Sequence, residues 1–159
     1  MKNYNVVLLD NTENSTEKVI PQIAKVTGKD ISELPFYNSD IRQPESLEKV
    51  FQDCISKGRK IDAVIHFAAL KAAGESVHYP LEYYQTNFVG TLNILQVMKK
   101  FNCKNIIFSS SACVYGNGNK ICKENDSTET LNPYGSTKLF SEKMIEEFCN
   151  SKTGIIVIL

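Results

Sequence analysis

The pentapeptide Tyr134-Gly-Ser-Thr-Lys138 sets a phenol and an ammonium four residues apart. On a helix that spacing puts both on one face, within mutual reach. A free phenol with a pKa of about 10 is only about one part in a thousand ionised at pH 7. A neighbouring lysine cation favours the phenolate and makes it a base able to take a proton from an alcohol. A bare Y-x-x-x-K otherwise reads as a pair on a solvated helix face. Ser109-Ser110-Ser111, closing an apolar run upstream, adds hydroxyls that can align a substrate alcohol, although serines in that place also serve as turn formers. Asp10 is the third polar feature. It ends an apolar run, where a dinucleotide-binding fold places the acid that takes the adenosine ribose hydroxyls and repels a 2′-phosphate, favouring NAD over NADP. An acid there also serves as a turn former or cap, and Asn11 beside it adds a second hydrogen-bonding group.

These residues need elements to hold them. Short β-branched runs at Asn5–Asp10, Pro35–Asp40, Ala63–Ala68, Asn105–Ser111 and Gly154–Leu159 read as strands, and three are nearly continuous in apolar residues, as suits strands covered on both faces. Between them run stripes of helical period. One joins Leu47, Val50, Phe51, Cys54 and Ile55. Another joins Leu81, Tyr84, Phe88, Leu92, Leu95, Met98 and Phe101, with Pro80 near its first turn. The last joins Phe140, Met144, Ile145 and Phe148 on a helix that Asn132 can cap and Pro133 can open. Val19–Thr27 is also helical in period, with Pro21 placed in its first turn or at a kink. The alternation of strand and helix specifies an α/β fold, a doubly wound parallel sheet with right-handed crossovers. Ligands of such sheets sit beyond the carboxyl ends of the strands, where Asp10, Asp40, Ala68–Lys71 and Ser109–Ser111 fall.

Composition sets the outer bounds. The chain has 159 residues, 42% hydrophobic and 23% charged, and its 18 Lys+Arg balance 18 Asp+Glu. That is an ordinary globular balance, with no basic footprint for nucleic acid or an anionic membrane. No apolar run reaches the ~18 residues of a membrane span, and an early acid interrupts any secretory signal, so a cytoplasmic protein is expected. Five scattered cysteines and two histidines give no metal-ligand spacing, and the thiols are expected to be reduced and structural. Sequons at Asn14 and Asn125 carry no weight without a secretory route.

Six segments together, VVLLDN, DI at Asp40–Ile41, VIHFAALKAAGES, YYQTNFVGTLNIL, FSSSACVYG and NPYGSTK, resemble in order and spacing the UDP-galactose (UDP-glucose) 4-epimerases, extended short-chain dehydrogenases/reductases of galactose metabolism. The likeness covers nearly the whole chain. It implies a Rossmann-like fold binding NAD and acting on a UDP-sugar, with a homodimer as the assembly. By motif, Asp10 and Asn11 would hold the adenosine ribose and Asp40 with Ile41 the adenine. Phe67, Ala68, Ala69, Lys71 and Ser109 would line the dinucleotide, with Lys71 on its phosphates and near the substrate, and Asn87 would contact it from the long helix. Ser111 and Cys113 would meet the sugar 4-hydroxyl. Tyr134 would act as base and acid, and Lys138 would hold the nicotinamide ribose and bias Tyr134. Hydride would pass from sugar C4 to NAD and return to the other face of a transient 4-keto sugar. Related dehydratases carry an Asp-Glu pair after the strand serines; Ala112-Cys113 here has no acid, which favours the epimerase.

The chain also departs from that pattern. Its eight glycines include no G-x-x-G-x-x-G phosphate turn, Ala69 stands where Gly is usual and Cys113 where Thr is usual. It begins at what resembles the family's second strand and stops before the part that grips the uridine nucleotide. A partial NAD-binding domain over residues 1–159 is therefore expected, without a substrate domain and inactive by itself. Strand order 3-2-1-4-5-6 puts the missing first strand between Asn5–Asp10 and Ala63–Ala68, so that either their edges close up and pair directly or the chain stays partly unfolded and aggregates through them. The alternative reading is a non-catalytic remnant or interaction module.

Overall fold

The computed structural model describes residues 4–116, 121–153 and 156–158, in two compact units, Met1–Asp40 and Ile41–Leu159. In the first, β1 (Leu8–Asp10) pairs in parallel with β2 (Phe36–Asn38), Leu8 opposite Phe36 and Asp10 opposite Asn38. A parallel pair needs a crossover, and α1 (Val19–Thr27) supplies it. Pro21 is its third residue, where a helix N–H has no partner within the helix in any case, so the proline opens α1 without kinking it. Gly28 ends α1 in the left-handed region at φ 67°, its N–H on the Ala24 carbonyl. Ile20, Ala24 and Leu34 are buried here.

In the second unit, α2 (Pro44–Ser56) buries Leu47, Val50, Phe51 and Cys54, while Ile55 at the edge of the expected stripe is exposed. The strands β3 (Ala63–His66), β4 (Asn105–Phe108) and β5 (Ile156–Ile158) run parallel in the order β3-β4-β5. Between β3 and β4 come α3 (Ala73–His78), α4 (Pro80–Tyr83), a π-helical segment Tyr84–Val89 and α5 (Gly90–Lys100). A 3-10 turn at Ala112–Tyr115 and then α6 (Pro133–Phe148) precede β5. Among the described residues β1 pairs with β2 alone and β3 with β4 alone. The expected α/β class and parallel pairing are present. Gly154, Ile155 and Leu159, expected in the last strand, lie outside the described residues.

Two expectations need correction. Strands nearly continuous in apolar residues imply cover on both faces, yet only one face of β3–β4 is covered. His66, Ile106 and Phe108 are buried, His66 against Thr91 of α5 and Phe108 beneath Lys138 of α6, while Ile65, Phe67 and Ile107 are exposed. The second concerns the long helix. Leu81 of the expected apolar stripe is 78% exposed and Tyr84 and Phe88 are half-buried, whereas Tyr83, Thr86, Asn87 and Thr91 are buried. The π-helical segment lets in an extra residue, which turns the face preceding it, and that face is polar. No helix among the described residues is long and apolar enough to cross a membrane.

Candidate active site

The site begins with how α6 starts. Extended Asn132 accepts the Gly135 N–H at 2.8 Å through its side chain, and Pro133 fills the first helical position with its fixed φ. Tyr134 and Lys138 follow one turn apart. Gly135 lets α6 approach the Ser111–Cys113 turn: a Cβ there would stand 2.9 Å from the Cys113 carbonyl oxygen, too close for any other residue without movement. Ser111, also extended, starts that turn by accepting the Cys113 N–H at 3.2 Å, which leaves its hydroxyl proton to be donated elsewhere. The serine end of β4 and the tyrosine turn of α6 are thus held together backbone to backbone.

Lys138 is buried, 4% exposed. Its Nζ donates to the Ser109 carbonyl at 2.7 Å and stands 4.7 Å from the centre of the Phe108 ring. Loss of water lowers its pKa from 10.5 to about 8, with Glu142 pulling the other way. The ammonium has three donors, and Ser109 takes one. His66 lies on the same buried face, its Nε2 2.9 Å from Thr91 Oγ1. The Thr91 hydroxyl has one proton and gives it to the Asn87 carbonyl, so His66 donates through Nε2. Burial, reinforced by the Lys138 charge, holds the His66 pKa at about 3, and the imidazole is neutral at pH 7.

The segment from Phe67 to Ala72 lies beyond the end of β3. Phe67 and Lys71 are exposed, and Ala68 and Ala69 are half-buried. Asn87, 2% exposed, holds this segment instead of facing outward. Its Oδ1 accepts the Leu70 N–H at 2.8 Å, and its Nδ2 donates to the Leu70 carbonyl at 2.9 Å and to Thr137 Oγ1 at 3.1 Å. Both side-chain protons of the residue expected to reach a cofactor are therefore engaged within the fold. Ile41 is likewise drawn inward: it is buried against Gly90, and its carbonyl accepts from Asn93.

In the first unit Asp10, Asn11 and Asp40 gather at the carboxyl ends of β1 and β2. Asp10 Oδ1 takes the Thr12 N–H and the Ser15 hydroxyl, both at 2.7 Å, and Asn11 Nδ2 bridges Glu13 and Asp40. Asp10 is therefore a turn former here, as an acid at a strand end commonly is; its second oxygen is the one a ribose would take.

With this geometry in place, comparison with known proteins is decisive. Residues 1–159 match the family described as NAD dependent epimerase/dehydratase. The chain belongs to that family. It is 47% identical over 158 residues to the bifunctional UDP-glucose 4-epimerase and UDP-xylose 4-epimerase 1 of Pisum sativum, covering 98% of this chain and 44% of the relative. It is 44% identical over 151 residues to a UDP-glucose 4-epimerase of Schizosaccharomyces pombe, covering 92% and 40%. The crystal structure of UDP-glucose 4-epimerase from Bifidobacterium longum in complex with NAD+ and UDP superposes with a TM-score of 0.86 at 41% identity, over 98% of this chain and 44% of that one. The chain spans less than half the length of these relatives, and its fold is the Rossmann-like, NAD-binding fold of the family.

Sequence reasoning in this family member missed Ser76, Tyr83, Thr91 and Thr137, all nearly or fully buried behind the site. Tyr83, Thr91 and Thr137 lie on stretches read for their apolar stripes, and Ser76 on the short α3, so none gave a periodic signal. Only the Thr residues near Asn87 and Tyr134 were marked by their neighbours in sequence.

Proposed function

We propose that this chain is the cofactor-binding and proton-transferring part of an NAD-dependent UDP-glucose 4-epimerase. The observation that carries the reading is the buried Lys138, anchored to the Ser109 carbonyl one turn after Tyr134 on a helix seated against the Ser111–Cys113 turn. Residues 1–159 would act as the dinucleotide-binding domain, and the grip on the uridine nucleotide is assigned to none of them.

The residues suit NAD. Lys138 has two N–H donors beyond the one on Ser109 for the nicotinamide ribose, and Asp10 keeps one carboxylate oxygen for the adenosine ribose, while both Asn11 side-chain protons are held by Glu13 and Asp40. Lys71, exposed on its loop, would meet the phosphates. NAD, when bound, supplies the hydride acceptor and donor at sugar C4. The work left to the chain is the proton. Tyr134 takes it from the 4-hydroxyl as C4 is oxidised and returns it as C4 is reduced. Tyr134 takes the proton as the phenolate and is a phenolate again on returning it, and the Lys138 cation stabilises that charged form. Ser111 donates its free hydroxyl proton to the sugar oxygen, and Cys113, in the same turn, borders it. With Ala112 and Cys113 beside the serines there is no acid to expel a hydroxyl, which supports epimerisation over dehydration.

The reading is tested by assaying UDP-galactose to UDP-glucose conversion in a gene product as long as the relatives, wild type against Tyr134→Phe. Losing the general base is expected to reduce turnover at least about a hundredfold while NAD stays bound. Turnover untouched by Tyr134→Phe would refute it, and retained NAD binding without turnover in wild type would favour the non-catalytic alternative. We also assign a homodimer: Leu81 on α4 and Phe140 on α6 are exposed, with Phe140 stacked on Tyr84. Sedimentation of that product as a monomer would remove this assignment.

A further inference from the structure

We propose that Ser76 and Tyr83 are positioning residues that fasten the loop carrying Lys71 to the backbone and ring of Tyr134, so that the loop and the tyrosine move together. The starting point is the set of N–H groups that any helix leaves unpaired in its first turn. In α6, Pro133 has none, Gly135 donates to the Asn132 side chain, and Ser136 already donates to the Asn132 carbonyl. Only the Tyr134 N–H is left without a partner in its own helix or cap. It donates to Ser76 Oγ at 3.1 Å, from 58 residues away. Ser76 is 0% exposed, and its own proton goes to the Ala73 carbonyl at 2.6 Å, which turns an oxygen lone pair toward Tyr134.

Tyr83 makes the second connection. It is 1% exposed, its hydroxyl accepts the Ala72 N–H at 3.1 Å, and Glu75 Oε2 at 2.7 Å and the Ala72 carbonyl at 2.9 Å compete for its proton. Burial first, and then the Glu75 hydrogen bond and charge, raise the Tyr83 pKa to about 12, so the hydroxyl keeps its proton and acts as a fixed buckle. Its ring meets the Tyr134 ring edge-on, with centroids 6.4 Å apart and planes at 80°. Asn87 fixes Leu70 at the near end of the loop. The segment Leu70–Ser76 is thus held at Leu70, Ala72 and Ser76, and the last two anchors touch Tyr134 directly.

The inference rests on the proposed function only for the role given to Tyr134; the coupling itself is measurable without turnover. Amide hydrogen exchange is followed by NMR on the 159-residue chain for wild type, Ser76→Ala and Tyr83→Phe. In Ser76→Ala the Tyr134 amide is expected to exchange about tenfold faster relative to Ser141 further along α6, the effect of losing one ordinary hydrogen bond, with Ala72 speeding up as well. Unchanged Tyr134 exchange, or an equal rise along the whole of α6, would overturn the proposal. Tyr83→Phe keeps the ring and decides the matter if Ser76→Ala does not fold. Ala72 and Tyr134 should then quicken together; Ala72 quickening alone would overturn the coupling. In a product of the relatives' length, Tyr83→Phe should lower kcat with KM for UDP-galactose unchanged. Coupled exchange in the chain beside a longer product that never turns over would retire the epimerase reading and leave the coupling standing.

Discussion

Lys138→Met removes a buried charge while keeping an unbranched side chain of similar reach. The folded chain releases the Lys138 proton near pH 8, the unfolded chain near 10.5. Between those values the folded state carries fewer protons, so stability rises with pH across this window. Below pH 8 the full penalty for burying the cation is present, about 3 kcal/mol at about 1.4 kcal/mol per pH unit; by pH 10 less than about 1 kcal/mol remains. Methionine also forfeits the bond to the Ser109 carbonyl and the contact with the Phe108 ring, but those losses do not depend on pH. Urea unfolding of both proteins at pH 7 and pH 10 isolates the charge, since the other titrations cancel in the double difference. The stability of Lys138→Met relative to wild type is expected to fall by about 2.5 kcal/mol from pH 7 to pH 10. A difference constant with pH would refute the claim that Lys138 is held as a desolvated cation. Under the proposed function the same measurement bears on chemistry, because a lysine that releases its proton near pH 8 would stop supporting a Tyr134 phenolate above that pH. Turnover in the longer product should therefore decline on the alkaline side near there.

Asn87→Leu strips Leu70 of partners for both its N–H and its carbonyl, and chemical unfolding should show a loss of about 3 kcal/mol; a loss under about 1 would mean that water replaces the amide. Gly135→Ala should destabilise by about 1 kcal/mol or more in thermal unfolding, because a Cβ 2.9 Å from the Cys113 carbonyl forces the turn away; the helix gain from alanine, about 1 kcal/mol, would win only if that contact relaxes freely. Asp10→Ala should narrow the preference for NAD over NADP in calorimetric titration, together with a modest loss of stability from the freed Thr12 N–H and Ser15 hydroxyl. A preference unchanged by that substitution would mean that Asp10 only forms the turn.

Local signals carried much of this architecture. Asn132 with Pro133 marked the start of α6, and Val19–Thr27 forms the helix its period specified, because caps and proline act within a few residues. The strands were read too long. Apolar runs such as Asn105–Ser111 extend past the four residues where β4 has a neighbour alongside, and pairing is a property of two segments. Tyr134, Lys138 and Ser111 were legible as candidates because the chemistry proposed for them is tied to spacing and order. Their support was not. His66, Thr91, Asn87, Thr137 and Ser76 form a buried polar layer whose partners lie up to 58 residues apart, and hydrophobic periodicity reports burial only when the buried residues are apolar. Asn87 was read by motif as a cofactor contact, and its amide is engaged with Leu70 and Thr137, since a motif fixes which residue is present and not which way its amide turns.

The π-helical segment Tyr84–Val89 sets which way the residues before it face, because it takes up one residue more than the same turn of α-helix would. Each residue of an α-helix advances about 100° around the axis, so rewinding the segment as α-helix at its present length would swing Pro80–Tyr83 by about that angle relative to α5 and take the Tyr83 hydroxyl off Ala72. Removing one residue as the turn rewinds would cancel that swing. A better helix of the same length would thus make a worse site, whereas a helix one residue shorter would keep the two faces in register. Length and helix type across residues 84–89 are therefore tied to each other, a constraint that amino-acid preferences alone would never reveal.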